Sequence, residues 1–169
     1  ILSYAGAEVT REYFINDSKE SNQIKELGKT AKGEGGQYKT EFTEELIKKE
    51  NFSDKSAEDA GFLLAEKIQG HNKNFLKNKV GIFFDNWYSE DEKLRDSGLN
   101  QKTLDELAGK GLVYEKDGAV WLNTSLHGDD EDRVVVRSDG SKTYFLSDIA
   151  YHADKWKRGF NKVIDVWGA

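Results

Sequence analysis

The sequence predicts an α/β fold in which two strand-containing ends frame a long, mainly helical middle. Residues 9–15 (VTREYFI) are rich in β-branched and aromatic side chains and run into Asn16-Asp17, as a strand does before a turn. Residues 162–167 (KVIDVW) are apolar on alternate and adjacent positions, which suits a parallel strand buried on both faces. We therefore expect both ends to join one parallel sheet, with residues 18–142 inserted between them.

Composition narrows the class of protein. The chain has 169 residues, 37% hydrophobic and 33% charged, which is ordinary for one domain or one domain with an insertion. It has no cysteine, which excludes disulfides and thiolate metal sites and fits a cytoplasmic location, and its three histidines show no metal-ligand spacing. No apolar run is long enough for a membrane span. The net charge of −6 argues against a dedicated nucleic-acid binder but does not exclude a local basic patch.

The first elements predicted are short. Residues 1–5 followed by Gly6 resemble the last turn of a helix with a glycine stop. After the strand at residues 9–15, apolar side chains at helical spacing predict helices over residues 21–31 and 41–49. The glycine-rich stretch between these helices lacks the pattern of a phosphate-binding loop, so we interpret it as a plain connection.

The clearest helix is predicted over residues 56–77. Ser56 and Asp59 resemble an N-terminal capping box, and apolar residues then recur at spacings of three and four. Residues 80–84 (VGIFF) favour a short buried strand or extended segment. A further helix is predicted over residues 103–110, with its leucines facing inward.

Two hairpins and a helix are predicted after that. Residues 112–122 and 133–146 each place an Asp-Gly pair between apolar runs, which is a strong hairpin signal. Ser147 is a suitable N-cap for a helix over residues 148–158, which would end at Gly159. The strand at residues 162–167 would follow.

Tyr144 and Asp148 are the most informative polar residues. On this interpretation Tyr144 closes a strand and Asp148 lies in the first turn of the next helix, at the sheet edge where open α/β sheets bind ligands. A carboxylate accepts two N–H groups of a guanidinium, and a phenol oxygen accepts a further one. From the residues alone a simpler interpretation is favoured, in which Asp148 only complements the helix dipole.

Other polar clusters are less specific. Residues 128–133 (GDDEDR) form an acidic turn with the chemistry for a divalent cation, but the EF-hand spacing is missing and a solvated loop is favoured. His152 lies four residues after Asp148 on the same helical face, where a general base is conceivable. The chain has no recognisable Ser or Cys nucleophile motif, which disfavours a hydrolase triad.

Several segments, in order along the chain, resemble the bacterial-type arginyl-tRNA synthetases, which are class I enzymes. The matching segments are VTREYFIND at 9–17, FDNWYSE at 84–90, GLVYEKDGAVWL at 111–122, GDDEDRVVVRSDG at 128–140, TYFLSDIAYHADK at 143–155 and VIDVWGA at 163–169. The run from Gly128 to His152 is the most specific, whereas residues 37–78 match mainly in helical pattern.

This resemblance implies a partial Rossmann-like catalytic domain with a long helical and hairpin-containing connective insertion. Residues 1–17 would end the first Rossmann half, residues 18–142 would form the insertion, and residues 143–169 would begin the second half. In the family, the Tyr and Asp of a YxxxD element bind the arginine guanidinium. That role carries over to Tyr144 and Asp148, in agreement with their chemistry.

The resemblance also implies further substrate-pocket candidates, namely Asn16, Asp17, Gln23 and His152. The first three have weaker support, because this chain has the longer stretch 18–22 where the family has a short glycine-containing turn. The parent enzyme would be a monomer in the cytoplasm that uses ATP and Mg²⁺ to activate arginine and then charges tRNA(Arg).

Two ATP-handling motifs of the family, the HIGH-type and KMSK-type sequences, are absent from the 169 residues. We therefore expect no catalytic residue, bound cofactor or bound metal in this chain, and expect it to be inactive by itself. The alternative is a non-enzymatic, winged-helix-like module for nucleic acid or protein, built from residues 103–110 and the hairpin at 112–122. The lack of a Lys/Arg-lined helix weighs against DNA binding.

Overall fold

A computed structural model describes residues 1–166. Their elements group into two units: the first is Ile1–Asp91, and the second begins at Glu92 and is described as far as Val166. The first unit contains two parallel strands, with Glu12 opposite Asn86 and Ile15 opposite Ser89. Three helices connect them. The elements are β1 (Glu12–Ile15), α1 (Asn22–Ala31), α2 (Glu41–Lys48), α3 (Ala57–Phe75) and β2 (Asn86–Ser89).

The core of the first unit lies between α1 and α3. Ile24 and Leu27 of α1 and Ala60 and Leu64 of α3 are buried there. The two helices approach so closely that a Cβ at Gly61 would lie 1.9 Å from the carbonyl oxygen of Ile24. Only a residue without a side chain allows this packing distance. The helical spacing predicted for both elements is thus explained by one shared interface.

The second unit packs two helices with a three-stranded antiparallel sheet in the order β3-β4-β5. Its elements are α4 (Leu99–Gly109), β3 (Val113–Lys116), β4 (Ala119–Leu122), β5 (Arg133–Val136) and α5 (Tyr144–Lys157). Asp117 and Gly118 both have positive φ between β3 and β4, as a tight hairpin turn requires. The first predicted hairpin is therefore present.

The second hairpin, predicted over residues 133–146, is formed only next to its turn, and its second arm is not a strand. β5 pairs with β4, and a single antiparallel bridge joins Val136 to Lys142 across the turn. Tyr144 does not close a strand but is the first residue of α5, so this helix begins four residues before the predicted start at 148. Thr143, and not Ser147, caps it, because its hydroxyl accepts from the backbone N–H of Leu146.

Two strand predictions also need correction. Residues 81–84 are irregular and follow a π-type turn at Leu76–Val80, and the strand after α3 is β2, at Asn86–Ser89. Residues 162–166 are not a strand, and Trp167 lies outside the described residues. β2 pairs with β1 although it falls within residues 18–142, so the parallel sheet includes part of the stretch assigned to the insertion.

The predicted helices agree with the structure except at their ends. α4 begins at Leu99 rather than residue 103, and α3 gives way to the π-type turn after Phe75, two residues before its predicted end. Within residues 1–166, no helix combines the length and apolarity that crossing a membrane requires.

Candidate functional site

The start of α5 is held against β5 by Thr143. The Thr143 hydroxyl donates to the carbonyl oxygen of Val134 at 2.9 Å, and its backbone N–H donates to that of Val135 at 3.1 Å. The same hydroxyl oxygen accepts from the N–H of Leu146 at 3.4 Å. One side chain therefore caps the helix and joins it to the sheet, which fixes the position of the next residue, Tyr144.

One face of α5 is buried. Leu146 and Ala150 are fully buried on this face, as is Ser147, whose hydroxyl oxygen accepts from the side-chain amide of Asn100 on α4 at 3.0 Å. A hydrogen bond between two buried polar groups is directional, so it sets the rotation of the helix as well as its position. The opposite face is consequently presented to solvent.

Tyr144, Asp148 and His152 lie on the more exposed side of α5. Their spacing of four residues places them one above another on a single helical face. Tyr144 is 42% exposed, Asp148 is exposed and His152 is half-buried. The structure thus brings three of the six predicted site residues together, and we name this set the α5 stripe.

The Asp148 carboxyl has a raised pKa. The main cause is partial burial, which disfavours the charged form, and the neighbouring His152 opposes it by favouring the carboxylate. The side chain is nevertheless exposed, so the carboxylate combines access to solvent with incomplete hydration. A carboxylate in this setting gains more from an incoming cation than a fully hydrated one.

Two residues that the sequence did not single out flank the α5 stripe. Lys155, three residues after His152, is buried, and its ammonium donates to Asp165 at 2.8 Å. Its Nζ also lies 3.5 Å from Nδ1 of His152. The sequence places Lys155 and His152 on one predicted helix but predicts Asp165 in a strand, so it does not predict the contact between Lys155 and Asp165.

The other three candidates belong to the first unit and have different surroundings. Asn16 is exposed at the end of β1, and Gln23 is exposed in the first turn of α1. Asp17 is buried, and its two carboxylate oxygens accept from the hydroxyl of Ser89 at 2.7 Å and from the backbone N–H of Asp91 at 3.0 Å. Asp17 therefore joins the ends of the two parallel strands.

Replacing Asp17 with alanine is expected to lower the free energy of unfolding by about 1–3 kcal/mol, because the buried N–H of Asp91 loses its acceptor. Asp17→Asn is the matched control, since its amide oxygen still accepts from that N–H. Denaturant unfolding of the intact protein measures both variants. Unchanged stability in Asp17→Ala, together with weaker arginine binding, would instead place Asp17 in the substrate pocket.

The acidic turn after β4 pairs with its own arginine. Arg133 donates to both carboxylate oxygens of Asp129, at 2.8 and 2.9 Å, and to Glu131 at 2.9 Å. Asp132 accepts from the Tyr114 hydroxyl at 2.8 Å, which raises the pKa of the Tyr114 phenol. Across residues 1–166, no three His, Asp or Glu side chains are grouped as metal ligands. The turn is an internal ion-pair network.

Comparison with known proteins identifies the family. The model of "tRNA synthetases class I (R), catalytic domain" matches residues 16–167. The arginine–tRNA ligase of Desulforamulus reducens is 41% identical over the whole chain, which spans about a third (33%) of that relative's length. The arginine–tRNA ligase of Aquifex aeolicus is 63% identical over 53% of the chain, which corresponds to 15% of that protein.

A solved structure supports the same assignment. The crystal structure of a protein from Campylobacter jejuni described as an arginyl-tRNA synthetase superposes with a TM-score of 0.83 and 31% identity. The superposition covers 99% of this chain and 40% of that protein. The predicted fold class, α/β of the class I catalytic-domain type, is thereby confirmed. The chain belongs to the class I arginyl-tRNA synthetase family.

Proposed function

We propose that this chain supplies the arginine-binding part of an arginine–tRNA ligase, which activates arginine with ATP and transfers it to tRNA(Arg). The observation that carries the proposal is the α5 stripe, in which a phenol and a partly desolvated carboxylate stand one helical turn apart on an accessible face. Family membership supports the parent activity, and it favours this function over the winged-helix-like binding module.

The chemistry of the stripe suits a guanidinium. In this proposal the carboxylate of Asp148 accepts two parallel N–H groups of the substrate side chain, and the hydroxyl oxygen of Tyr144 accepts a third. A bound guanidinium replaces water at Asp148 with a full positive charge, which favours the ionised carboxylate and offsets the effect of burial on its pKa. His152 borders the same face one turn further along. The stripe binds and orients arginine, and it does no covalent chemistry.

The sheet pairing changes the proposed domain limits. Because β2 lies beside β1 in the parallel sheet, we propose that the first Rossmann half continues from residues 1–17 through β2. The connective insertion then covers residues 90–142, which include α4 and the three-stranded sheet, rather than 18–142. The second half begins at residue 143 with α5.

ATP, Mg²⁺ and tRNA(Arg) are proposed for the parent enzyme, which we place in the cytoplasm as a monomer. Among the side chains of residues 1–166, no three are grouped as metal ligands. The role derived for the chain involves only its own residues: Asp148 and Tyr144 bind the substrate side chain, and Thr143 and Ser147 orient the helix that carries them.

The intact protein that contains this chain is expected to catalyse ATP–pyrophosphate exchange that depends on arginine and on the presence of tRNA(Arg). Lysine is the matched control amino acid, because it carries the same charge but has no planar fork for a two-pronged contact. Exchange with neither amino acid, together with salt-dependent binding to duplex DNA, would reject the ligase in favour of the winged-helix-like module.

A further inference from the structure

Lys155 is a buried cation that the proposed arginine contacts do not use. It is 7% exposed, although it belongs to the same helix as the exposed residues of the α5 stripe. Its ammonium is compensated by the carboxylate of Asp165 at 2.8 Å and by the ring of Tyr151, whose centroid is 4.1 Å away. Burying a lysine is costly, so these compensating contacts at one ammonium indicate a defined role for this side chain.

The third contact of Lys155 is with the ring of His152. Nζ of Lys155 lies 3.5 Å from Nδ1 of that ring, at the outer limit of a hydrogen bond. Asp165 lies further from the same ring nitrogen, at 3.8 Å, beyond hydrogen-bonding distance. The Lys155–Asp165 pair therefore lies against the imidazole that shares a face with Asp148.

Lys155 also holds the irregular segment 160–166 against α5. The backbone N–H of Phe160 donates to the carbonyl oxygen of Lys155 at 3.4 Å, and the side chain reaches Asp165 further along the same segment. Residues 160–166 form no helix or strand, so such contacts define where the segment runs. One residue thus connects the α5 stripe to the chain that follows it.

We propose that Lys155 and Asp165 are a positioning pair for arginine binding. The pair fixes the segment 160–166 beside His152, one helical turn from Asp148, so the guanidinium meets a preformed site. It also neutralises the ammonium of Lys155, so that no uncompensated cation on this helix competes with the substrate for Asp148. This inference rests on the proposed function of the α5 stripe. Neither residue touches the substrate in this arrangement.

Lys155→Met in the intact protein is expected to raise the arginine KM in ATP–pyrophosphate exchange about tenfold, because loosened positioning groups weaken binding by roughly that factor. The ATP KM and kcat should stay within about twofold, because the pair acts on the arginine site alone. Lys157→Met is the matched control: Lys157 lies on the same helix and pairs with Glu106 at 2.7 Å, and its loss should leave the arginine KM unchanged.

The double variant Lys155→Met, Asp165→Asn separates positioning from stability. It leaves no unpaired charge, so its denaturant midpoint should recover towards that of the parent protein, while the raised arginine KM persists because the tether is absent. A double variant with a parental arginine KM would overturn the inference. Asp148→Asn tests the arginine site separately. If it raises the KM and Lys155→Met does not, only the positioning role fails; if it has no effect, the proposed function fails.

Discussion

Gly61→Ala is expected to lower the free energy of unfolding by about 3 kcal/mol or more. The added Cβ would lie 1.9 Å from the carbonyl oxygen of Ile24 and 2.9 Å from the backbone nitrogen of Gly28. Both neighbours are backbone atoms of α1, so no side chain can rotate away and the two helices must separate. Overpacking in a core commonly costs about 1–3 kcal/mol, and a backbone clash lies at or above the upper end of that range.

Gly70→Ala is the control for this substitution. Gly70 is also within α3, but a Cβ there meets no atom within 4 Å beyond its own turn of the helix, so alanine should raise stability by about 0.5–1 kcal/mol through its better helix propensity. Denaturant unfolding followed by circular dichroism compares the two variants directly. Equal midpoints for Gly61→Ala and Gly70→Ala would show that α1 and α3 are not in close contact at Gly61.

The sequence predicted α1 and α3 but not the contact between them. Ala60 and Leu64 were expected in a core because they recur at helical spacing, and both are fully buried. The close approach of the helices at Gly28 and Gly61 could not be predicted in this way, since a glycine inside a helix indicates only a weak helix former. Their role depends on how two helices cross, and that relation is not encoded in the spacing of either one.

The predicted element boundaries are wrong where a tertiary contact determines where the element begins. Thr143 and Ser147 are both good N-cap residues, and the helix starts at the one that also bonds to β5. Residues 80–84 match the pattern of a strand better than β2 does, because they are mostly apolar whereas β2 begins and ends with the polar Asn86 and Ser89. Pairing with β1, about seventy residues away, selects β2, and no local pattern reveals such a partner.

Only part of the candidate site can be predicted from the sequence. The spacing of Tyr144, Asp148 and His152 suffices to place them on one helical face, once the helix is known to start at residue 144. The Lys155–Asp165 pair could not be found in this way, because Asp165 lies in an irregular segment whose path is fixed by tertiary contacts. Periodicity predicts which residues share a face, but not which residue of another segment meets that face.

Asp148→Asn in the intact protein is expected to raise the arginine KM by at least about 30-fold. This factor corresponds to about 2 kcal/mol, the lower end of the roughly 2–5 kcal/mol lost when one partner of a desolvated charge pair is removed. Asparagine keeps the shape but has only one acceptor oxygen and no charge, so the two-pronged contact is lost. Steady-state ATP–pyrophosphate exchange measures the effect. The ATP KM should not change, because the lost contact is to the arginine side chain alone.

The same substitution is expected to increase stability, which a purely structural aspartate would not do. The pKa of Asp148 is raised in the folded protein, so folding favours its protonated form. That contribution is fully present below the ordinary pKa of aspartate and is lost as the pH rises through the raised value. Near neutral pH the charged Asp148 therefore costs stability, and Asp148→Asn should recover part of it, below about 1 kcal/mol after screening by solvent.

Because α5 begins at Tyr144, Asp148 lies beyond its first turn, where the helix dipole has little effect. The combination of the two effects therefore distinguishes a binding carboxylate from a purely structural one. If Asp148 served only to stabilise the fold, the asparagine variant would lose stability at neutral pH and keep the parental arginine KM. If it binds the substrate, affinity falls while the denaturant midpoint rises, and the gain shrinks as the pH is lowered into the range where aspartates protonate. Tyr144→Phe should follow with a smaller rise in KM, because it removes one neutral hydrogen bond rather than a charge pair. Parental KM values in both variants would remove the α5 stripe from the arginine site.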